Sequence, residues 1–171
     1  MVFISGVHGV GKSYFCGLVK DALGIDSYSA SKLITDKKQR GFSKDKLIPD
    51  IDENQQYLLQ AINELRALDK DFILDGHFCL LNAEGAIQRI PFDTFSSLRP
   101  EAIILLTESP LIIAKRRSDR DSIDVSPEAI DAFQKEEMAY AKEVAATLNA
   151  KLFISEGADS IDQAVNFIES L

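Results

Sequence analysis

A glycine-rich segment near the amino terminus constrains this chain more than any other feature. Residues 6–13 read Gly-Val-His-Gly-Val-Gly-Lys-Ser and match the pattern G-x-x-x-x-G-K-S. The segment follows a short apolar run at residues 2–5 and precedes apolar positions spaced three and four residues apart, so it joins a predicted strand to a predicted helix. Backbone N–H groups of such a loop converge at the positive end of the helix dipole. The pattern therefore predicts a site for the phosphates of a nucleoside triphosphate.

The predicted ligands of this site are ATP and Mg²⁺. Lys12 is expected to reach the β- and γ-phosphates, and the Ser13 hydroxyl is expected to bind the metal ion. For His8 two interpretations stay open, which are contact with the β-phosphate region and exposure to solvent. The predicted nucleotide contacts from the loop and the start of the helix are Gly6, Val7, His8, Gly9, Val10, Gly11, Lys12, Ser13 and Tyr14.

Strand and helix patterns alternate along the rest of the chain. Further strands are predicted at residues 25–28, 72–75, 102–106 and 151–155. Helices are predicted at residues 12–23, 29–38, 50–68, 93–98, 109–117 and 126–149, and from 159 onward. Residues 76–90 show no clear period and are expected to form a long loop. The alternation predicts an α/β fold in which one domain, residues 1–171, holds a parallel sheet covered on both faces by helices.

The composition limits the binding partners and the cellular compartment that the sequence predicts. The chain has 19 basic and 27 acidic residues and a formal net charge of -8, so its overall field repels phosphate polymers and disfavours nucleic acid as a partner. The apolar runs are far shorter than the roughly 20 residues that cross a bilayer, and no signal-peptide pattern opens the chain. These features predict a cytoplasmic protein with no membrane partner. Cys16 and Cys79 belong to no metal-binding pattern and are expected to be reduced, buried thiols.

Charged residues after two of the predicted strands complete the candidate site. Asp75 ends the strand at 72–75 and is the predicted carboxylate that holds Mg²⁺, the alternative being an ordinary strand-end cap. His77, two residues on, is predicted to orient the acceptor or to fix Asp75. Arg116, Arg117 and Arg120 crowd the end of one helix. They either neutralise charge on a transferring phosphoryl group or form a salt-bridged helix terminus.

Taken in order, these elements resemble those of the archaeal-type adenylate kinases and related small P-loop kinases. The matching segments are residues 6–13, Asp75-Gly76-His77, Leu98-Arg99-Pro100, Arg116-Arg117 and Arg120-Asp121. The family usually has threonine between the aspartate and the histidine, where this chain has Gly76.

The resemblance implies a three-layer P-loop NTPase fold with a five-stranded parallel sheet of order 2-3-1-4-5. It also implies a monophosphate-binding segment near residues 30–60, a short arginine lid near 116–125, and adenine near Ser155, Glu156 and Gly157. The cations available as phosphate clamps in the first segment are Arg40, Lys44 and Lys46. For residues 37–40 a solvated charge cluster is the alternative.

The leading functional hypothesis is a phosphotransferase that moves the γ-phosphoryl group of Mg-ATP to a small acceptor, above all a nucleoside monophosphate. Its predicted catalytic residues are Lys12, Asp75, Arg116 and Arg120, and Arg116 is also a predicted nucleotide contact. Two alternatives stay open, which are an ATP-hydrolysing regulatory switch and a kinase that acts on another metabolite or on a nucleic-acid end.

Overall fold

Five parallel strands form the centre of the molecule. A computed structural model describes residues 1–40, 51–68, 70–82, 84–122, 124–157 and 160–171. The strands of the sheet are β1 (Val2–Ser5), β2 (Asp26–Ser29), β3 (Phe72–Asp75), β6 (Ala102–Thr107) and β7 (Lys151–Glu156). Their order is β2-β3-β1-β6-β7, and all neighbours are parallel. Counted within the sheet alone, this is the predicted order 2-3-1-4-5, which is confirmed.

Seven helices flank this sheet in the described part of the chain. They are α1 (Lys12–Leu23), α2 (Ala30–Arg40), α3 (Ile51–Arg66), α4 (Phe92–Leu98), α5 (Pro110–Asp121), α6 (Pro127–Leu148) and α7 (Ile161–Glu169). Gly24 ends α1 in a left-handed conformation, as its position predicts. The Ser126 hydroxyl caps α6 by accepting a hydrogen bond from the Ala129 amide at 3.1 Å.

One helix boundary differs from the sequence prediction. Helix α5 was expected to end near Arg117, but it continues to Asp121. It ends where Ser122 adopts a φ of 53° and donates its amide hydrogen to the Ser118 carbonyl. The charged residues after Arg117 include no glycine or proline to end the helix, so it continues for about one more turn.

Two apolar clusters cover the two faces of the sheet. Alternate residues of β1 point to opposite faces, so Ile4 belongs to one cluster and Phe3 to the other. The Ile4 cluster includes side chains from α1 and α7, and the Phe3 cluster includes side chains from α3, α4 and α6. Cys16 and Cys79 are free and buried, one in each cluster, as predicted. The arrangement confirms three layers.

A β-hairpin replaces the predicted long loop at residues 76–90. Strand β4 (Cys79–Leu81) pairs antiparallel with β5 (Ile87–Arg89) as a separate two-stranded sheet. The loop prediction was wrong because strands of three residues are too short to show a period. The turn has a local cause, since the Asn82 side chain accepts hydrogen bonds from the amides of Glu84 and Ala86.

The described helices include none with the length and apolar character required to cross a bilayer.

Candidate active site

The glycine loop leaves β1 and enters α1 at the carboxyl edge of the sheet. Gly6, Gly9 and Gly11 have φ values of 148°, 88° and 113°. A Cβ atom on Gly6 would lie 2.6 Å from the Leu106 carbonyl oxygen, and one on Gly9 would lie 2.9 Å from Cγ of Arg117. The loop therefore sits so close to the end of β6 and to α5 that these positions require glycine.

The Lys12 side chain lies against the start of the loop. Its Nζ donates a hydrogen bond to the Gly6 carbonyl at 2.6 Å. Burial lowers the pKa of Lys12, while the nearby Asp75 and Glu137 carboxylates oppose that shift. The ammonium group is thus held at the loop rather than in bulk solvent. The loop is also where the pattern predicts the phosphates to bind.

Asp75 and His77 lie beside the loop because β3 is the neighbour of β1. Asp75 aligns with Ile4, two residues before the loop begins. Burial raises the pKa of Asp75, and Lys12 opposes the shift. His77 contacts His8 with ring centroids 4.5 Å apart. The structure thus places His8 against a second imidazole, a contact that neither interpretation of His8 included.

The imidazole of His77 is held neutral. Burial lowers its pKa to about 3, with Lys12 and His8 adding to the shift. Its Nδ1 atom is buried and has no hydrogen-bond partner among the described residues. His77 is therefore a neutral group at the edge of the loop.

The Gly76 departure from the family pattern has a steric cause. A Cβ atom at this position would lie 2.8 Å from two ring carbons of Phe3. The Gly76 amide donates to the Ile4 carbonyl at 2.9 Å, which fixes its backbone against β1. Phe3 fills the space that a threonine side chain would occupy.

Two of the three clustered arginines face the cavity beside the loop. Arg116 donates from Nη1 to the Val10 carbonyl at 3.1 Å, and its Nη2 lies 3.3 Å from the Glu108 carboxylate. Arg120, one turn further along α5, lines the same cavity. Arg117 instead lays its aliphatic stem near Gly9. The segment near 116–121 is helical, so these guanidinium groups project from a helix rather than from a loop.

A cavity of about 990 Å³ joins these residues. Because β7 and β2 form opposite edges of the sheet, the cavity has a β7 side and a β2 side, with the loop between them. The β7 side is lined by Thr107, Glu108, Ser155, Gly157 and Ile161. The β2 side is lined by apolar groups (Phe3, Ile34, Leu58, Phe95 and Leu98) and by the amides Asn54 and Gln55.

The charged residues predicted for the monophosphate-binding segment are mostly not tested. Lys44 and Lys46, and the side chain of Arg40, lie outside what the structure describes. Lys37 pairs with Glu64 and so links α2 to α3.

The oxygen donors present fit a nucleotide-bound magnesium ion. Within the described residues, no group of three or more histidine, cysteine, aspartate or glutamate side chains lies close enough to hold a metal. Mg²⁺ takes one or two protein oxygens beside substrate phosphates and water. Ser13 and the partly buried Asp75 line the cavity together and supply that number.

Sequence reasoning missed two residues near the site. Glu137 interrupted an otherwise apolar helix face, which was its only signal, and it is 1% exposed. Burial raises its pKa, and hydrogen bonds from Ser5, Phe78 and Cys79 oppose the shift.

Arg89 on β5 lines the cavity, donates to Glu136 and Glu143, and lies over the Tyr140 ring. Its position follows from the hairpin, which had not been predicted.

Comparison with known proteins places the chain among P-loop proteins. A family profile described as AAA domain matches residues 5–134. An adenylate kinase of Pyrobaculum aerophilum is 29% identical over 150 residues, covering 82% of this chain and 76% of that protein.

Solved structures share the fold at lower identity. A gluconokinase from Sinorhizobium meliloti superposes with a TM-score of 0.55 at 18% identity, covering 96% of this chain and 86% of that one. A sugar kinase from Janibacter gives 0.54 at 18% identity, covering 99% and 91%. These structures confirm the fold class. The family profile and the adenylate kinase relative confirm the resemblance to small P-loop kinases.

Proposed function

This chain belongs to the AAA domain family, and we propose that it is an ATP-dependent P-loop kinase. In this proposal it transfers the γ-phosphoryl group of Mg-ATP to a small acceptor, with a nucleoside monophosphate as the leading candidate. The observation that carries the proposal is the convergence of Lys12, Asp75, Arg116 and Arg120 on one cavity beside the glycine loop. Three separate elements supply these side chains, and each is a type that phosphoryl transfer uses.

Each group has a role that follows from its charge and place. Loop amides and the Lys12 ammonium group bind the β- and γ-phosphates, and Ser13 and Asp75 hold Mg²⁺. Bound Mg²⁺ supplies charge neutralisation at the phosphate oxygens. Arg116 and Arg120 stabilise the negative charge on the phosphoryl group as its bond to ADP breaks and its bond to the acceptor oxygen forms.

The lining of the β2 side supports a nucleotide acceptor. Its lining is mostly apolar, and the amides of Asn54 and Gln55 offer hydrogen bonds to a base edge. The adenylate kinase relative supports the same acceptor class. The ATP base would then occupy the β7 side, near Ser155 and Gly157.

A hydroxylated acceptor is the second candidate, and Asp75 is the observation that favours it. A hydroxyl nucleophile needs a group that takes its proton, whereas a phosphate oxygen does not. Asp75 lines the cavity, and burial raises the pKa of its carboxyl group.

An acceptor panel tests the proposal. The purified protein is incubated with Mg-ATP and, in parallel, with nucleoside monophosphates, sugars and sugar acids, and both ADP and phosphorylated product are quantified. We expect one class to accelerate ADP formation with an equal yield of phosphorylated acceptor. ADP release that no acceptor accelerates would instead support the ATP-hydrolysing switch.

A further inference from the structure

A buried carboxylate, Glu137, lies beside the loop, and its Oε1 atom is 3.9 Å from Nδ1 of His77. Glu137 projects from α6, on a face whose neighbouring buried residues Tyr140, Ala141 and Val144 belong to the apolar core. It is 1% exposed. Burying a carboxylate in such a place is costly unless donors surround it, so its partners account for its presence.

Three donors from two different elements converge on Glu137. The Ser5 hydroxyl, at the last residue of β1, donates to Oε1. The amide of Phe78 donates to the same oxygen at 2.9 Å, and the amide of Cys79 donates to Oε2 at 2.7 Å. One side chain thus binds both the residue that precedes the loop and the backbone that follows His77.

Only a carboxylate satisfies this set. Both of its oxygens accept, so it serves a hydroxyl and two amides at once. Glutamine has the same size, but its amide nitrogen cannot accept and would face a donor. This set of three donors therefore requires a carboxylate, and a glutamine side chain of the same size does not replace it.

We infer that Glu137 is a positioning residue that couples the glycine loop to the segment carrying Asp75 and His77. Its carboxylate fixes the end of β1 relative to the start of β4, so a ligand that orders the loop also orders residues 77–79. The consequence for turnover rests on the proposed kinase function, whereas the coupling itself requires only nucleotide binding.

Hydrogen exchange measured by mass spectrometry tests the coupling directly. Phe78 and Cys79 are not among the described residues that line the cavity, so a nucleotide does not shield their amides by contact. With Mg²⁺ and a non-hydrolysable ATP analogue, we expect exchange at these two amides to slow by about tenfold in the wild type. In Glu137→Gln we expect that slowing to be lost, although calorimetry still detects analogue binding.

A control variant separates coupling from general destabilisation. Val144 lies on the same helix, is fully buried, and is not among the residues lining the cavity. Val144→Ala is expected to lower Tm by a few degrees while keeping the ligand-induced slowing. If Glu137→Gln also keeps that slowing, Glu137 is merely a core residue and the inference is wrong.

Turnover gives a second, independent readout. We expect Glu137→Gln to lower kcat by about tenfold or more with little change in the KM for ATP, and Ser5→Ala to have a smaller effect in the same direction. In a Glu137→Ala background, Ser5→Ala should slow turnover no further, because the Ser5 hydroxyl has already lost its acceptor. Effects that multiply fully would contradict the inference. Absence of turnover in the wild type would count against the kinase proposal and leaves the exchange experiment to decide the role of Glu137.

Discussion

Lys12 is the residue on which nucleotide binding depends most directly. Its ammonium group is held at the loop by the Gly6 carbonyl, so it is already placed to bind phosphate. We predict that Lys12→Ala weakens Mg-ATP binding by about tenfold or more, or about 1.4 kcal/mol, as measured by calorimetry. Lys20→Ala is the matched control, because Lys20 lies on the same helix, is exposed and pairs with Asp26. Equal affinities for the two variants would rule out the assigned role of Lys12.

Gly76 is predicted to tolerate no side chain. A threonine there would press its Cβ into the Phe3 ring, so Gly76→Thr should lower the free energy of unfolding by about 1–3 kcal/mol in urea titrations. Gly17→Ala is the contrasting change, since nothing lies within 4 Å of a Cβ in that helical position. It should raise stability by up to about 1 kcal/mol. A threonine variant as stable as the wild type would show that Phe3 does not fill this space.

At the scale of elements, the hairpin is anchored to α6 through Arg89. Its guanidinium group bonds to Glu136 and Glu143 and lies 4.6 Å from the Tyr140 ring centroid. These contacts are half-exposed, so Arg89→Ala should lower stability by only about 1 kcal/mol. Arg89 lines the cavity, and its hairpin follows β3 on the β2 side of the sheet, where the acceptor is proposed to bind. The KM for the acceptor should therefore rise more than the KM for ATP.

The control for Arg89 is another cation paired on α6. Lys135 bonds to Asp131 at 2.6 Å and is largely exposed. Lys135→Ala should leave both KM values unchanged in steady-state kinetics. If Arg89→Ala changes neither KM, the hairpin does not shape the acceptor side of the cavity.

The elements that sequence predicted well are those with a strong local signal. The loop at residues 6–13 has fixed glycine spacing. Strands β3 and β6 are continuous apolar runs, and each ends in a polar residue. The hairpin lacked such a signal because β4 and β5 have three residues each. Their pairing depends on the turn at Asn82 and on contacts with α6, which a single-sequence period does not show.

The same distinction applies to the candidate site. Lys12, Ser13 and Asp75 were named because a motif or a strand end marks them, and Arg116 and Arg120 because charge clusters on one helix. Glu137 was not named, since its partners Phe78 and Cys79 are 59 and 58 residues away in the chain. Only the packing of α6 against the sheet brings them together.

At the scale of the whole molecule, the reactivity of the two thiols measures unfolding of the core. Cys16 and Cys79 lie on opposite faces of the sheet, and burial raises their pKa values to about 11 and about 12. A raised thiol pKa means less thiolate at a given pH, so both should resist Ellman's reagent at pH 8 in the native protein and react in denaturant. Mg-ATP should slow labelling further, because it stabilises the folded state. Rapid labelling of either thiol in the native protein would contradict this arrangement of the core.

The fate of the γ-phosphoryl group tests the account most directly. Phosphorus NMR of Mg-ATP mixed with a nucleoside monophosphate and the wild-type protein follows that group without a coupling enzyme. We predict that ATP and monophosphate signals fall together while nucleoside diphosphate signals rise, and that Lys12→Ala abolishes the change. Growth of an inorganic phosphate signal alone, with the monophosphate signal constant, would contradict phosphoryl transfer to this acceptor.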